Sequence, residues 1–367
     1  MFGFHIDLTG IDAVIFIVIQ AAMLLFLFSM SVRYNSRFFL VLAIILSGFC
    51  VGMRFNYGLD TQMYAEWVTR FGTRSGLGEA FLWSDHERSF IIISYFSYKL
   101  TGSYRLTFLI YATSTAGFFL TGLWNFRKKI NVYPGLLYYI VFLQWNSMCN
   151  IMRQSLAIAI VFWGIQFVYK KEPIKFFVAV LGAFLFHSSA LAAIPLYFYG
   201  DENFRGRKYL PMINVGLIIL LSIAPSLLVE IMTQISYRYD YSLHYKFGLG
   251  FVVNIVILYI FFKYSYELAD DVRLLYMIRS LLILVTILLI SDYTIGEAAR
   301  FREYYNTIYL LALGAIPSEG FVLSVFRKKK ISYLNAIIYG YPLLYLINYL
   351  RGFLNGSTIA FAITFMN

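Results

Sequence analysis

Charge is scarce in this chain. Asp, Glu, Lys and Arg together make up 13% of its 367 residues, and the acids are the rarer sign, 19 against 30 bases. No stretch is polar enough, over enough length, to fold as a separate soluble domain, so one membrane domain covering 1–367 is expected. Only two cysteines and four histidines are present. Cys50 and Cys149 lie in or beside apolar runs with no CxxC and no His/Cys ligand spacing, which argues against a disulfide framework or a structural metal. A Walker loop, a GxGxxG turn and an HExxH helix are all missing, which disfavours an ATP-driven pump or a metalloprotease, and no cofactor is implied. The first apolar run has no basic stretch before it, so it is expected to be retained rather than cleaved as a signal peptide.

What fills the chain is hydrocarbon: 60% of residues are apolar, with 36 Phe and 31 Tyr. A spanning helix needs about 20 mostly apolar residues. Candidate runs fall near 12–32, 37–53, 106–124, 134–150, 152–169, 174–199, 209–232, 249–264, 274–291, 303–322, 332–350 and 352–366. The fold class expected is therefore an all-α polytopic membrane protein of roughly 11–13 membrane or half-membrane helices. The many aromatics serve interface belts and core filling as readily as a sugar-facing cavity.

Basic clusters fix how the chain is threaded, because loops on the cytoplasmic side carry excess Lys and Arg. Placing Arg33 and Arg37, Arg127 to Lys129, Lys170, Lys171 and Lys175, Arg205 to Lys208, and Arg327 to Lys330 all on one side has two consequences. Residues 55–124 cross once, so 83–100 becomes a short outer interfacial or re-entrant helix. Residues 174–199 are too few for two crossings, so they leave and return as two half-helices meeting near His187.

Arg54, Asp60, Arg153, His187 and Arg300 then converge on the opposite face, although the threading used none of them. Arg54 and Asp60 emerge among aromatics in VGMRFNYGLDTQMY, with Tyr57, Gly58 and Tyr64 beside them. Arg153 and Gln154 open an apolar helix, where a cation is unfavourable unless something negative binds there. His187 and Ser188 sit at the inferred break. Arg300 and Tyr304 share a helix face at i, i+4, while Arg302 lies on another face near carboxylates. Arginine's planar fork suits a pyrophosphate, so Arg54, Arg153, Arg300 and Arg302 are candidate phosphate ligands. A snorkelling role at the interface is the plainer alternative for each arginine taken singly. The tyrosine-rich loop 236–248 is as suited to an aromatic belt as to a sugar contact.

The order and spacing of these blocks resemble the EpsG family, the bacterial exopolysaccharide and O-antigen (Wzy-type) polymerases. The blocks are Arg54 with Gly58-Leu59-Asp60 and Tyr64; Glu87 before a short apolar helix; Met152-Arg153-Gln154; Phe186-His187-Ser188 with Pro195; and Arg300 with Tyr304, Tyr305 and Pro317. They span about 50–320. Thr61 departs from the family, where an aromatic often follows the Asp. The resemblance implies a GT-C-like, metal-independent, inverting glycosyltransferase of the bacterial inner membrane, with its site facing the periplasm or outside. Its substrate would be oligosaccharide repeat units on undecaprenyl pyrophosphate. Its partners would be membrane lipids and a chain-length regulator protein, with no nucleic acid.

In that chemistry a base must orient or deprotonate the acceptor hydroxyl. Asp60 comes first, then His187, then Glu297. Tyr57, Tyr64, Glu87, Gln154, Ser188, Tyr304 and Tyr305 are candidates for sugar contact or orientation. An O-antigen ligase differs in acceptor rather than in site chemistry, and a flippase for the lipid-linked oligosaccharide should show internal repeats, which are not evident here.

Overall fold

A computed structural model of the chain describes residues 10–223 except Asn56 and Leu59, together with 6–7, 271–294, 299–315 and a few isolated positions between 226 and 259 and at 340 and 347. The expected spans at 249–264, 332–350 and 352–366, the loop 236–248 and the cluster 327–330 lie outside the described residues. Among the described residues the architecture is all-α apart from one two-residue parallel pairing, β1 (Ile6–Asp7) with β2 (Arg54–Phe55).

Among the described residues, four helical stretches are long and apolar enough to cross a membrane: Ile11–Arg33, Arg105–Asn125, Met152–Tyr169 and Val272–Ile290. They belong to α1 (Gly10–Arg33), α6 (Arg105–Asn125), α9 (Met152–Tyr169) and α13 (Val272–Thr294). Even the shortest, at 18 residues, extends about 27 Å, close to the hydrocarbon thickness. Between the first two lies α2 (Arg37–Gly52), which packs along α6 because Gly48 and Gly52 let its backbone meet Thr113 and Leu109. On the outward faces of α1 and α2, Ile15, Phe26, Val41 and Ile45 stay exposed, as a helix surface bathed in lipid requires. The chain is a multi-pass membrane protein.

The basic clusters meet at one end. Arg127 Nε donates to Asn35 Oδ1 at 3.2 Å, joining the α1–α2 turn to the end of α6. Lys129 pairs with Asp271 at 2.9 Å, and the Tyr169 hydroxyl donates to the same carboxylate at 2.6 Å. Glu202 holds Lys171 at 3.0 Å and Arg273 at 3.3 Å. The clusters at 33–37, 127–129, 170–171 and 205–208 therefore share one end, as the charge pattern predicts.

The same contacts establish the re-entrant pair. Helix α10 (Pro173–Phe184) is 12 residues long, about 18 Å, too short to cross. Its backbone then breaks, with His187 extended at φ −157° and ψ 124°. A six-residue 3-10 turn (Ser188–Ala193) and α11 (Pro195–Gly200) lead back. Because Lys171 before the excursion touches Glu202 after it, the segment enters and returns on the same side.

At the far end, three short helices replace the single one expected: α3 (Thr61–Gly72), α4 (Leu77–Trp83) and α5 (Arg88–Thr101). Hydropathy does not mark the first two because their apolar faces are narrow. Gly72 is what lets α3 lie against the Tyr98 ring of α5. Leu82 and Leu100 are left 90% and 79% exposed, as befits helices lying at an interface. The run expected at 134–150 is not a plain helix either. It is α7 (Val132–Tyr138), a π-helical turn (Tyr139–Ser147) and α8 (Met148–Asn150), and a π-turn of this kind is frequent at functional sites. The last elements, α14 (Ala299–Asn306) and α15 (Tyr309–Ala315), run back from the far end, α15 along α7.

This threading has a direct check. Cys50 and Cys149 are both buried, so single cysteines at the exposed positions Lys170, Asn203 and Asp85 are the readable thiols in sealed vesicles. A membrane-impermeant maleimide is expected to label Lys170→Cys and Asn203→Cys from the same side and Asp85→Cys from the other. Labelling of 170 and 203 from opposite sides would mean that 172–201 crosses the membrane.

Candidate active site

The loop leaving α2 is held by Arg54. Its Nη1 donates to Val51 O at 2.9 Å, Nη2 to Cys149 O at 3.3 Å and Nε to Thr61 Oγ1 at 3.3 Å, while the guanidinium stacks 4.6 Å from the Phe108 ring centroid. At 2% exposure it is committed to the protein. Arg54 braces the loop that presents Asp60. Tyr57 likewise spends its hydroxyl on Trp145 O at 2.8 Å. Gly58 has φ +92°, and a Cβ there would meet Cys149 O at 2.7 Å, so this turn requires glycine. The tight turn leaves Asp60 half-buried at the start of α3.

Across from Asp60, Arg153 opens α9 and forms an ion pair with Glu87, just ahead of α5. Phe90, Trp67 and Tyr64 surround its guanidinium, with ring centroids at 5.2, 5.7 and 6.0 Å, a geometry that stabilises a desolvated cation through the ring faces. Its Nε has no hydrogen-bond partner among the described residues. The other Glu87 oxygen accepts from the Ser188 backbone N–H at 3.3 Å. Helices α5 and α9 are thereby tied to the break in the re-entrant pair.

At that break His187 Nδ1 accepts from the Ser189 backbone N–H at 3.3 Å and lies 2.6 Å from Ser189 Oγ. Since a backbone N–H only donates, the network assigns the lone pair to Nδ1 and, in the neutral ring, the proton to Nε2. Ser189 Oγ lies 2.9 Å from the Tyr304 hydroxyl, so the line from Tyr304 through Ser189 to His187 is continuous. Gln154 Nε2 donates to Arg300 O at 2.6 Å, seating α14 on α9. Tyr305 donates to Ala192 O and is structural.

The electrostatics separate these groups. Burial pushes the Asp60 carboxyl above the usual carboxylate range, and the attraction of Arg300 and Arg153 only partly offsets it. Burial also opposes ionisation of Glu87, but Arg153, His187 and two backbone N–H groups outweigh it and hold Glu87 below its ordinary value. His187 is pushed down to about 4, chiefly by burial and further by Arg153 and Arg300, against the pull of Glu87. Near neutral pH the cluster therefore holds an ionised Glu87 beside Arg153, a neutral imidazole, and an Asp60 poised higher than a surface aspartate.

Asp60, Arg153, His187, Glu87, Ser188, Tyr64, Gln154, Arg300 and Tyr304 thus come together. Arg302 does not. It is buried with its charge acting on Glu303 and Tyr309, on the other face of α14, apart from the group gathered around Asp60. Glu297 lies outside the described residues.

A family model, the EpsG family, matches residues 37–361. The chain belongs to the EpsG family. No curated protein and no solved structure matches it.

Sequence reasoning missed two members of this cluster, Trp67 and Phe90, and the link that Ser189 makes. Trp67 and Phe90 complete the aromatic box, and Ser189 links His187 to Tyr304. The signal for Trp67 was there in the i, i+3 and i, i+7 spacing of Tyr64, Trp67 and Phe71 on the one apolar face of α3. His187 yields a prediction of sign. The unfolded chain binds its proton near the ordinary 6.5 and the folded chain only near 4, so between those values the unfolded state holds more protons. Stability then rises with pH across that window and is lost as pH falls through it. The unmutated protein should lose thermal stability as pH falls between those limits, relative to His187→Gln. Equal slopes in the two proteins would show that His187 is not buried as a neutral ring.

Proposed function

We propose that this chain is a polysaccharide polymerase joining oligosaccharide repeat units carried on a polyprenyl pyrophosphate. The observation that carries this reading is the meeting of Arg153, Arg300 and Asp60 at the end of the molecule opposite the basic belt. Excess Lys and Arg in that belt favour a cytoplasmic position for it, which supports the reading of a site on the outer face of a bacterial inner membrane.

In the proposed reaction a hydroxyl of the incoming repeat unit attacks the anomeric carbon of the growing chain. The bond from that carbon to the pyrophosphate oxygen breaks with inversion. The hydroxyl proton goes to Asp60, and polyprenyl pyrophosphate departs carrying the electron pair. Negative charge grows on the leaving oxygen as the bond lengthens, and two fixed guanidiniums favour that state over the ground state. The raised position of Asp60 suits it to accept a proton better than a surface aspartate would. Neutral His187 has Nε2–H free of the Ser189 contact and donates a hydrogen bond to the sugar or to a phosphate oxygen. Glu87 keeps Arg153 in its aromatic box while the site is empty of substrate.

The experiment is polymerisation in membranes supplied with lipid-linked repeat units, read as a ladder of product lengths. Asp60→Asn and Arg153→Gln should each slow chain extension by about 10²–10⁴-fold at unchanged folded protein. Arg302→Gln should act instead on stability. A ladder undiminished in both of the first two variants would sink the proposed site. Transfer of a single finished chain to a different acceptor, with no ladder, would make the protein a ligase.

A further inference from the structure

A second feature lies at the other end of the molecule, within the basic belt. Helix α12 (Leu210–Ile223) packs against α13, and the 3-10 turn before it (Arg205–Tyr209) carries Arg205, Arg207 and Lys208. Between the two helices is a pocket of about 160 Å³ whose lining includes Arg207, Pro211, Asn214, Tyr276 and Ser280. An engineered cavity of about 150 Å³ holds benzene, so this pocket has room for a phosphate group with its ester carbons. Its lining contains one cation and no acid.

The polar groups of the pocket are held by their neighbours. Arg207 Nη1 donates to Glu202 O at 3.2 Å, and the guanidinium lies 4.5 Å from the Tyr276 ring centroid. That bond uses one of the five guanidinium donors. Glu202, the acid closest to Arg207 in the chain, already shares its carboxylate between Lys171 and Arg273. On α12 the Tyr199 hydroxyl donates to Asn214 Oδ1 at 2.7 Å, which orients the amide and leaves its NH2 group to donate elsewhere. Away from the belt, the same face of α12 turns apolar. Val215 and Ile218 stand at i+4 and i+7 from Pro211 and are 56% and 40% exposed, about 6 and 10 Å further along the helix. A cation and an amide donor at the belt are thus followed by an exposed apolar stripe.

We propose that the pocket between α12 and α13 seats the phosphate of an anionic glycerophospholipid, held by Arg207 and the Asn214 amide, with its acyl chains along Val215 and Ile218. Basic pockets between membrane helices on the cytoplasmic side recognise anionic headgroups in this way. The charge of the lining selects the headgroup: a zwitterionic lipid brings an ammonium as well as a phosphate, and no acid in the lining pairs with it. A soluble phosphate ester meets the same donors but gains nothing from the apolar stripe. Because the pocket exists only while α12 and α13 are packed, a bound lipid stabilises that packing by mass action. Such a site serves the fold whatever reaction the opposite end performs.

The test uses the full chain, delipidated in a neutral detergent, with dioleoyl phosphatidylglycerol, dioleoyl phosphatidylcholine and soluble glycerol phosphate as probes. Bound copies are counted by native mass spectrometry, and stabilisation is read as a shift in Tm. Phosphatidylglycerol should bind more tightly than phosphatidylcholine and raise Tm, with glycerol phosphate doing neither. Arg207→Gln, at an exposed position, should weaken phosphatidylglycerol binding about fivefold, the loss expected of one basic contact near a membrane surface. Asn214→Asp keeps an acceptor for Tyr199 but sets a negative charge against the phosphate, and should weaken binding at least as much. Lys208→Gln removes an exposed neighbour that does not line the pocket, and should leave binding nearly unchanged. A loss from Lys208→Gln equal to that from Arg207→Gln would overturn the site, because the lipid would then answer to the total charge of the belt. Undiminished binding in both pocket variants, or equal affinity for phosphatidylcholine, would overturn it too. Binding of glycerol phosphate as tight as that of the lipid would make the occupant a soluble phosphate ester and not a lipid.

Discussion

The Glu87–Arg153 ion pair is the contact through which the separate parts of the site are registered. A guanidinium at the head of a mostly buried helix is costly to desolvate, and its retention needs both a counter-charge and a surrounding that tolerates a cation. Glu87 supplies the first and the rings of Tyr64, Trp67 and Phe90 the second. Satisfying Arg153 in this way forces α3 and α5 to lie across the top of α9, because the acid and the rings are theirs. The second oxygen of Glu87 then takes the Ser188 N–H and fixes the re-entrant break at the same height. Removing the carboxylate would leave a buried cation and an unpaired backbone donor together, so the pair couples the outer helices to the interior.

A second constraint comes from the bilayer, where irregular backbone persists only if protein or water satisfies its polar groups. Residues 185–194 meet that condition locally. The Phe186 and His187 N–H groups bond back to Ala183 O at 3.0 Å, and the His187 ring takes the Ser189 N–H. From outside the segment, Glu87 takes the Ser188 N–H, and Tyr305 donates to Ala192 O. The histidine is thus a structural cap as well as a candidate donor to substrate. Its neutrality follows from that placement, since a charged ring would have to give up the N–H that Nδ1 accepts.

How much of this was legible in the sequence depended on which physical rule wrote the signal. Lysine and arginine counts placed the turns at 33–37, 127–129, 170–171 and 205–208 on one end, and chain length then forced the excursion at 174–199, because both rules act on bulk properties of short segments. Arg153 was readable because a cation at a helix start is anomalous in isolation. Arg54 stood out for the same reason, but its contacts with Val51 O, Cys149 O and Thr61 were not readable, because contacts 95 residues apart in the chain leave no local trace. The π-turn at 139–147 was invisible, since its hydropathy is that of any span. Arg300 and Arg302 were undecidable from spacing alone, and it is the seating of α14 on α9 by Gln154 that turns one toward Asp60 and the other toward Glu303.

The placement of arginines along the end opposite the basic belt has a common logic. Arg88, Arg105, Arg153 and Arg300 each stand in the first two positions of a helix, in α5, α6, α9 and α14. At a helix N-terminus the free N–H groups already carry positive potential, so each of these side chains raises a field that the isolated helix would disfavour. One such arginine is satisfied within the protein, as the Glu87 pair shows for Arg153. For the proposed transfer, four arginines at one end, beside an Asp60 that burial inclines to hold its proton, suit a ligand with more than one negative charge. A pyrophosphate diester meets that demand better than a lone carboxylate or a single phosphate diester, because its charges are spread over two groups that separate helix ends can share. The same distribution explains why the leaving group, whose charge increases during the proposed transfer, would be held more tightly as the bond breaks.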